Sequence, residues 1–171
     1  MSHAENKVNW CLRKAEKELK EGKKHRGLIK SESSLLKANE HITKAEHYLK
    51  AVDYLNKGGF SDLSMSDIFY CIYHCFLAVV VKFGYESRNQ ECTIALIRHF
   101  KEQNKINIDE KFIEMLESYD EKERFESNII EKREFYTYGT TTSVDDKNEI
   151  ERSISLCKDC LAQTKEIVFK E

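Results

Sequence analysis

Residues 66–93 read SDIFYCIYHCFLAVVVKFGYESRNQECT, and this stretch decides the fold. From Ile68 to Phe83 apolar residues lie almost all round a helix, interrupted by His74 and Lys82. Such a helix has to sit centrally among other helices. Gly84 is placed to close it, and a dense run of hydrogen-bonding side chains, Glu86 to Glu91, follows at once. A polar run at the start of a further helix suits recognition better than core packing. The apolar run is shorter than the roughly 20 residues of a bilayer span, so no membrane helix is expected.

Outward from this centre the apolar spacing is helical. Val8, Leu12, Ala15 and Leu19 predict a first helix from Ala4 to Lys24, followed by a connector from His25 to Ser34. Leu35, Ala38, Ile42, Ala45, Leu49 and Val52 predict a long second helix ended by Gly58-Gly59. Ser64 with Asp67 reads as a capping box opening the central helix, and a fourth helix is expected from Gln90 to Gln103. Asp109 is placed to cap a fifth, broken near Tyr119-Asp120 and resuming through Glu121 to Tyr138. Gly139 and the threonines after it form a loop, and Ser143 with Asp146 opens a last helix lined by Ile150, Ile154, Cys157, Leu161, Thr164 and Val168. No segment alternates with period two, so essentially no sheet is expected. The reading is an all-α fold, an up-and-down antiparallel bundle of about six helices.

Size and composition agree with one domain spanning residues 1–171, its basic N-terminal helix and connector over 1–30 and the bundle over 31–171. The 171 residues include no proline and six glycines, so little interrupts a helix. Net charge is −2, with a basic surplus up to Lys57 and an acidic one beyond it. Lys17, Lys20, Lys23, Lys24 and Arg26 concentrate the positive charge, either to meet phosphates or as a solvated helix face. The opening MSHAENKVNW has no apolar signal-peptide core, so a cytoplasmic protein is expected, with its six cysteines as thiols.

Four segments carry a family resemblance. They are Lys44-Ala45-Glu46-His47-Tyr48-Leu49 with Gly58-Gly59-Phe60-Ser61-Asp62, Phe69-Tyr70-Cys71-Ile72-Tyr73-His74-Cys75, Lys82 to Thr93, and Arg133-Glu134-Phe135-Tyr136-Thr137-Tyr138-Gly139. In order and spacing the chain resembles HEPN domain proteins, from about Leu35 onward, and in Lys82 to Thr93 a mainly archaeal and bacterial subgroup of them. The resemblance implies a helical bundle that forms homodimers. It also implies links to nucleotide binding, to metal-independent RNA cleavage, and to toxin–antitoxin pairs with minimal nucleotidyltransferases. The family's ribonucleases carry an arginine, four to six variable residues and a histidine. Here Tyr138 stands in the histidine's place after Arg133, and no other arginine has a histidine at that spacing. Metal-free cleavage needs a proton acceptor working near neutrality; histidine, at about 6.5, suits that task and tyrosine, at about 10, does not. The departure favours binding over turnover. If catalysis is kept, Arg133 and Tyr138 are its candidates.

The candidate nucleotide or phosphate contacts are Arg88, Asn89, Gln90, Arg133 and Tyr136. Arg88, Asn89 and Gln90 either hold a phosphate or base edge with the amides of the next helix, or form a polar interhelix turn. Arg133 with Tyr136 and Tyr138 either joins a phosphate contact to base stacking, or closes a helix end over the core. Cys71 with Cys75 and Cys157 with Cys160 fall on buried stripes and read as structural thiols, so no metal and no cofactor is expected. His74 and His99 read as hydrogen-bonded core histidines. The leading expectation is a nucleotide- or RNA-associated binding module, partnered by itself and by a nucleotidyltransferase. The alternatives are a diverged metal-independent ribonuclease and a non-catalytic helical scaffold.

Overall fold

The computed structural model describes residues 2–117 and 129–170. Its helices are α1 (His3–Lys20), α2 (Leu35–Lys57), α3 (Ser61–Lys82), α4 (Gln90–Glu102), α5 (Glu110–Leu116), α6 (Ile129–Tyr138) and α7 (Lys147–Phe169). Two short strands, β1 (Leu28–Lys30) and β2 (Tyr85–Ser87), complete the described elements. The all-α bundle is as expected, with seven described helices rather than about six.

Helices α2 and α3 form a hairpin around a tight turn, in which the Phe60 amide donates to the Leu55 carbonyl at 2.8 Å. Helix α7 packs along both, α6 packs along α3, and α1 packs on α4. Ile68, Cys71, Ile72, Cys75, Phe76 and Val79 of α3 are fully or almost fully buried, which places that helix at the centre. Its 22 residues are long and apolar enough to cross a membrane by length and composition, yet 67% of its most apolar window is buried within the bundle. Burial against neighbouring helices accounts for that apolarity.

Helix ends depart from expectation in instructive ways. α1 stops at Lys20, so Lys23, Lys24 and Arg26 lie beyond it, and Leu19 is exposed. α3 begins three residues before the expected capping box; Ser64 is buried inside the helix and its hydroxyl reaches the Val52 carbonyl at 3.5 Å. α7 is capped by Asp146 itself, which accepts from the Asn148 amide at 2.9 Å. Asp109 stands before α5, but its carboxylate accepts from the Gln163 side chain at 2.9 Å instead of capping the helix. The expected break near Tyr119-Asp120, and the resumption from Glu121 up to residue 128, lie outside the described residues.

One expectation is refined and one overturned. Sheet is minimal, as expected, but the connector is not without it: β1 pairs antiparallel with β2, Leu28 opposite Ser87, Ile29 opposite Glu86 and Lys30 opposite Tyr85. Strands of three residues are too short to show alternation, and their partners lie far apart in the chain. Gly84 makes the pairing possible, because its φ of +77° turns the chain from α3 into β2 and brings its carbonyl to the Ser31 amide at 2.9 Å. Nor are all cysteines thiols. Cys11 of α1 and Cys92 of α4 form a disulfide with a Cα–Cα distance of 5.9 Å. Gly27 lies against this junction, where a Cβ would collide with the Cys11 carbonyl oxygen.

Candidate functional site

A belt of rings crosses the outer side of α2 and α3 and ends at α6. His41 and Tyr48 are seven residues apart on α2, and Tyr70 and His74 are four apart on α3, so each pair shares a helix face. Packing α2 against α3 brings the pairs together. Tyr48 stacks on Tyr70 at 5.4 Å between centroids and on His74 at 5.6 Å. The Lys44 ammonium sits 5.0 Å from the Tyr48 ring centre. Tyr70 meets Phe69 edge to face at 5.1 Å, and Phe69 stacks on Tyr73 at 5.9 Å. Over Phe69 lies the Arg133 guanidinium, 4.3 Å from the ring centre. The belt therefore carries a cation at each end.

Within it, His41 and His74 face each other Nδ1 to Nδ1 at 3.0 Å. That contact requires one imidazole to donate and the other to accept, so at least the accepting ring is neutral and the two cannot both be charged. Burial pushes His74 down to about 4, with the positive charges of His41 and Lys44 adding to it. Burial lowers His41 too, partly offset by Glu40. Beside them burial, then Asp67 and Tyr70, hold the Tyr48 phenol above its usual value, so it stays protonated. Chemically the belt offers flat stacking surfaces, two cations and neutral imidazoles.

Arg133 is the one sequence candidate that reaches this belt. Its guanidinium also pairs with Glu134 at 3.9 Å, a long contact. Tyr136 is half-buried, with its phenol raised by burial and by Glu149 and Asp145, and meets Phe135 edge to face at 5.0 Å. Tyr138 is 83% exposed, more than a turn beyond Arg133 on α6. The Thr137 hydroxyl binds that of Ser66 at 3.1 Å and ties this end of α6 to α3.

Arg88, Asn89 and Gln90 lie elsewhere, and the fold itself engages them. Asn89 caps α4, accepting from the Cys92 amide at 2.9 Å. The Gln90 side chain donates to the Leu116 carbonyl at 3.1 Å. Arg88 donates to Glu86 at 2.8 Å, and the buried His25 ring contacts the same carboxylate oxygen at 3.2 Å. Partial burial opposes ionisation of Glu86, but the bonds from His25 and Arg88 outweigh it and hold the carboxyl below its ordinary value. These contacts make the polar run a fastened turn, with Arg88 half-exposed at its edge. A hydrogen-bond chain joins it to the belt: Tyr73 hydroxyl to Thr93 hydroxyl at 3.2 Å, and Thr93 to Ser87 at 2.7 Å.

Sequence reasoning missed the imidazole pair, reading His74 as a core residue when it is half-buried at the surface. The spacing of His41 with Tyr48 and of Tyr70 with His74 was the available signal. His99 is also half-buried, beside Phe100 at 6.4 Å. Cys71, Cys75, Cys157 and Cys160 are free and buried, and neighbouring thiols, Cys157 first, raise Cys71 with burial adding to the effect. Among the described residues no group of three or more His, Cys, Asp and Glu side chains is placed to hold a metal ion.

A family model for the HEPN domain matches residues 38–168. The chain belongs to the HEPN family. The match takes in α3, α4, α5 and α6 whole and nearly all of α2 and α7, and leaves out α1 and β1. HEPN membership points to an RNA-related or nucleotide-associated function, and HEPN domains often dimerise. No curated protein matches the chain.

Proposed function

We propose that this HEPN protein is a cytoplasmic RNA- or nucleotide-binding module acting as one domain, with the belt from Lys44 to Arg133 as its binding surface. The observation that carries the reading is a row of stacked rings bounded by two cations, the arrangement that takes bases on its faces and phosphates at its ends. Arg133 holds a phosphate, and Tyr70, 38% exposed, offers a ring to a base. Tyr136 supports the phosphate end, and Arg88 adds a contact at the edge of the neighbouring turn. Exposed Leu63, Phe135 and Tyr138, on the two helices that the Ser66–Thr137 contact joins, offer apolar surface to a second copy of the chain. A minimal nucleotidyltransferase, in a toxin–antitoxin pair, is the proposed second partner. Fluorescence anisotropy with a labelled single-stranded RNA tests the reading: Arg133→Ala and Tyr70→Ala each weaken binding with the helical spectrum unchanged. Equal affinity in both variants removes the belt from the site.

The imidazole pair favours a second reading, a diverged metal-independent ribonuclease. His74 is neutral at neutral pH and is the belt's candidate proton acceptor, although burial, by lowering it to about 4, makes it a weaker base than a free histidine. Cleavage of RNA in excess chelator, lost in both His74→Ala and Arg133→Ala, would put this reading first. Silence of the wild type leaves the binding module.

A further inference from the structure

The arm formed by α1 and β1 precedes the matched family region, and the fold attaches it in an unusual way. Its apolar contribution is small: Ala4, Val8, Cys11 and Ala15 from α1, and Leu28 from β1. Between α1 and α4 the polar ties include the exposed Lys7–Glu91 ion pair at 2.8 Å and the Ser2–Glu102 hydrogen bond; nearer β1 the buried His25 ring meets Glu86 at 3.2 Å and the Arg88 amide donates to the Gly27 carbonyl at 3.1 Å. The ladder to β2 is three residues long. The strong tie is covalent, Cys11 to Cys92, spanning 81 residues of sequence. Cys71, Cys75, Cys157 and Cys160 are thiols in the same molecule, so only the pair joining arm to body is oxidised.

We propose that Cys11 and Cys92 form a reversible thiol–disulfide site that fastens the arm to the HEPN body when oxidised and lets it lift when reduced. A dithiol reductant is the reacting partner. Its thiolate attacks one sulfur of the bond and forms a mixed disulfide; its second thiol then displaces the protein sulfur. Two electrons and two protons pass to the protein, which leaves with two thiols, while the reductant leaves as a disulfide. A disulfide oxidant runs the exchange backwards. Both sulfurs are buried, so exchange proceeds through brief opening of α1 from α4, along a seam whose Lys7–Glu91 and Ser2–Glu102 contacts are exposed to solvent. Cys92 lies in the first turn of α4, where the helix dipole favours the departing thiolate. Opening also removes one wall of a cleft of about 280 Å³, in which His3 and Lys7 of α1 face Gln90, Glu91 and Arg98 of α4. The inference is independent of the ligand of the ring belt.

The test uses the full chain, oxidised and then reduced by a thioredoxin-type dithiol, with hydrogen exchange read segment by segment. Alkylation of the denatured protein followed by intact mass should count four modified cysteines before reduction and six after it. Exchange across α1 and β1 is expected to accelerate at least tenfold on reduction, with α3 and α7 unchanged. Cys11→Ser should show the fast α1 without reductant and gain nothing from it; should that variant fold poorly, the reduced wild type gives the same reading. Equal α1 exchange in both states overturns the proposal, as does loosening of α3 and α7 together with α1. Resistance of the bond to the dithiol makes it a permanent staple and overturns it too.

Discussion

Helix α3 has two faces that differ more than its composition suggests. Toward α7 it presents Cys71 and Cys75 to Cys157 and Cys160, with Phe76 beside them, all fully buried. Toward α2 and α6 it presents Tyr70 and His74, part-exposed and engaged in ring contacts, with Phe69 beneath them carrying the Arg133 guanidinium. The first face is held by close packing of buried thiols; the second is held by stacking and one imidazole hydrogen bond. Hydropathy counts both as apolar. Only the nature of the residues, small sulfur-bearing side chains against rings with polar edges, tells the packed face from the usable one.

The largest effect should separate the faces by stability. Phe76→Ala removes a fully buried ring and is expected to cost about 3–5 kcal/mol. Tyr70→Ala, at the surface, should cost about 1 kcal/mol. Urea unfolding midpoints give both numbers, and similar losses would dissolve the contrast. Ligand affinity should separate them the other way: Arg133→Ala loses about tenfold or more in RNA binding. A conservative change on the packed face, Cys157→Ala, should leave the affinity where it was, and a loss there would break the comparison.

A subtler effect comes from acid. His74 titrates near 4 in the folded chain and at about 6.5 when unfolded, so the unfolded chain takes up the proton first as pH falls. The associated stability is complete above about pH 6.5 and is lost between there and about pH 4. His41 is shifted the same way and adds to the slope. Thermal melts across this window should fall more steeply for wild type than for His74→Gln; parallel curves would mean the imidazole pair is solvated. The smallest effect is expected at Tyr138→Phe. An 83% exposed phenol should change RNA binding or cleavage by about twofold at most. A large loss of cleavage would bring Tyr138 back as the proton acceptor.

Much of the helical order was legible because stripes such as Ala38, Ile42, Ala45 and Val52 are local, and the structure buries each of them. Caps were read less well. Ser64 looked like a cap because it precedes an acidic residue by three, but Ser61 and Asp62 fit the same start, and tertiary packing chose between them. What local reading could not reach was pairing over long separations: Leu28 with Ser87, Cys11 with Cys92, His41 with His74. Each partner is unremarkable in its own window. Arg133 and Phe69 both lie inside family-like segments, but nothing local says that the ring 64 residues earlier sits beneath the guanidinium.

The β1–β2 ladder has a practical consequence for anyone who trims the protein at the family boundary. A chain cut to residues 38–168 keeps β2 and loses its mate, so the backbone of Tyr85–Ser87 becomes a bare edge beside the hollow vacated by Leu28. Bare edges recruit other edges. Such a fragment is expected to self-associate through β2, and an oligomer seen with it would report the scissors and not the protein.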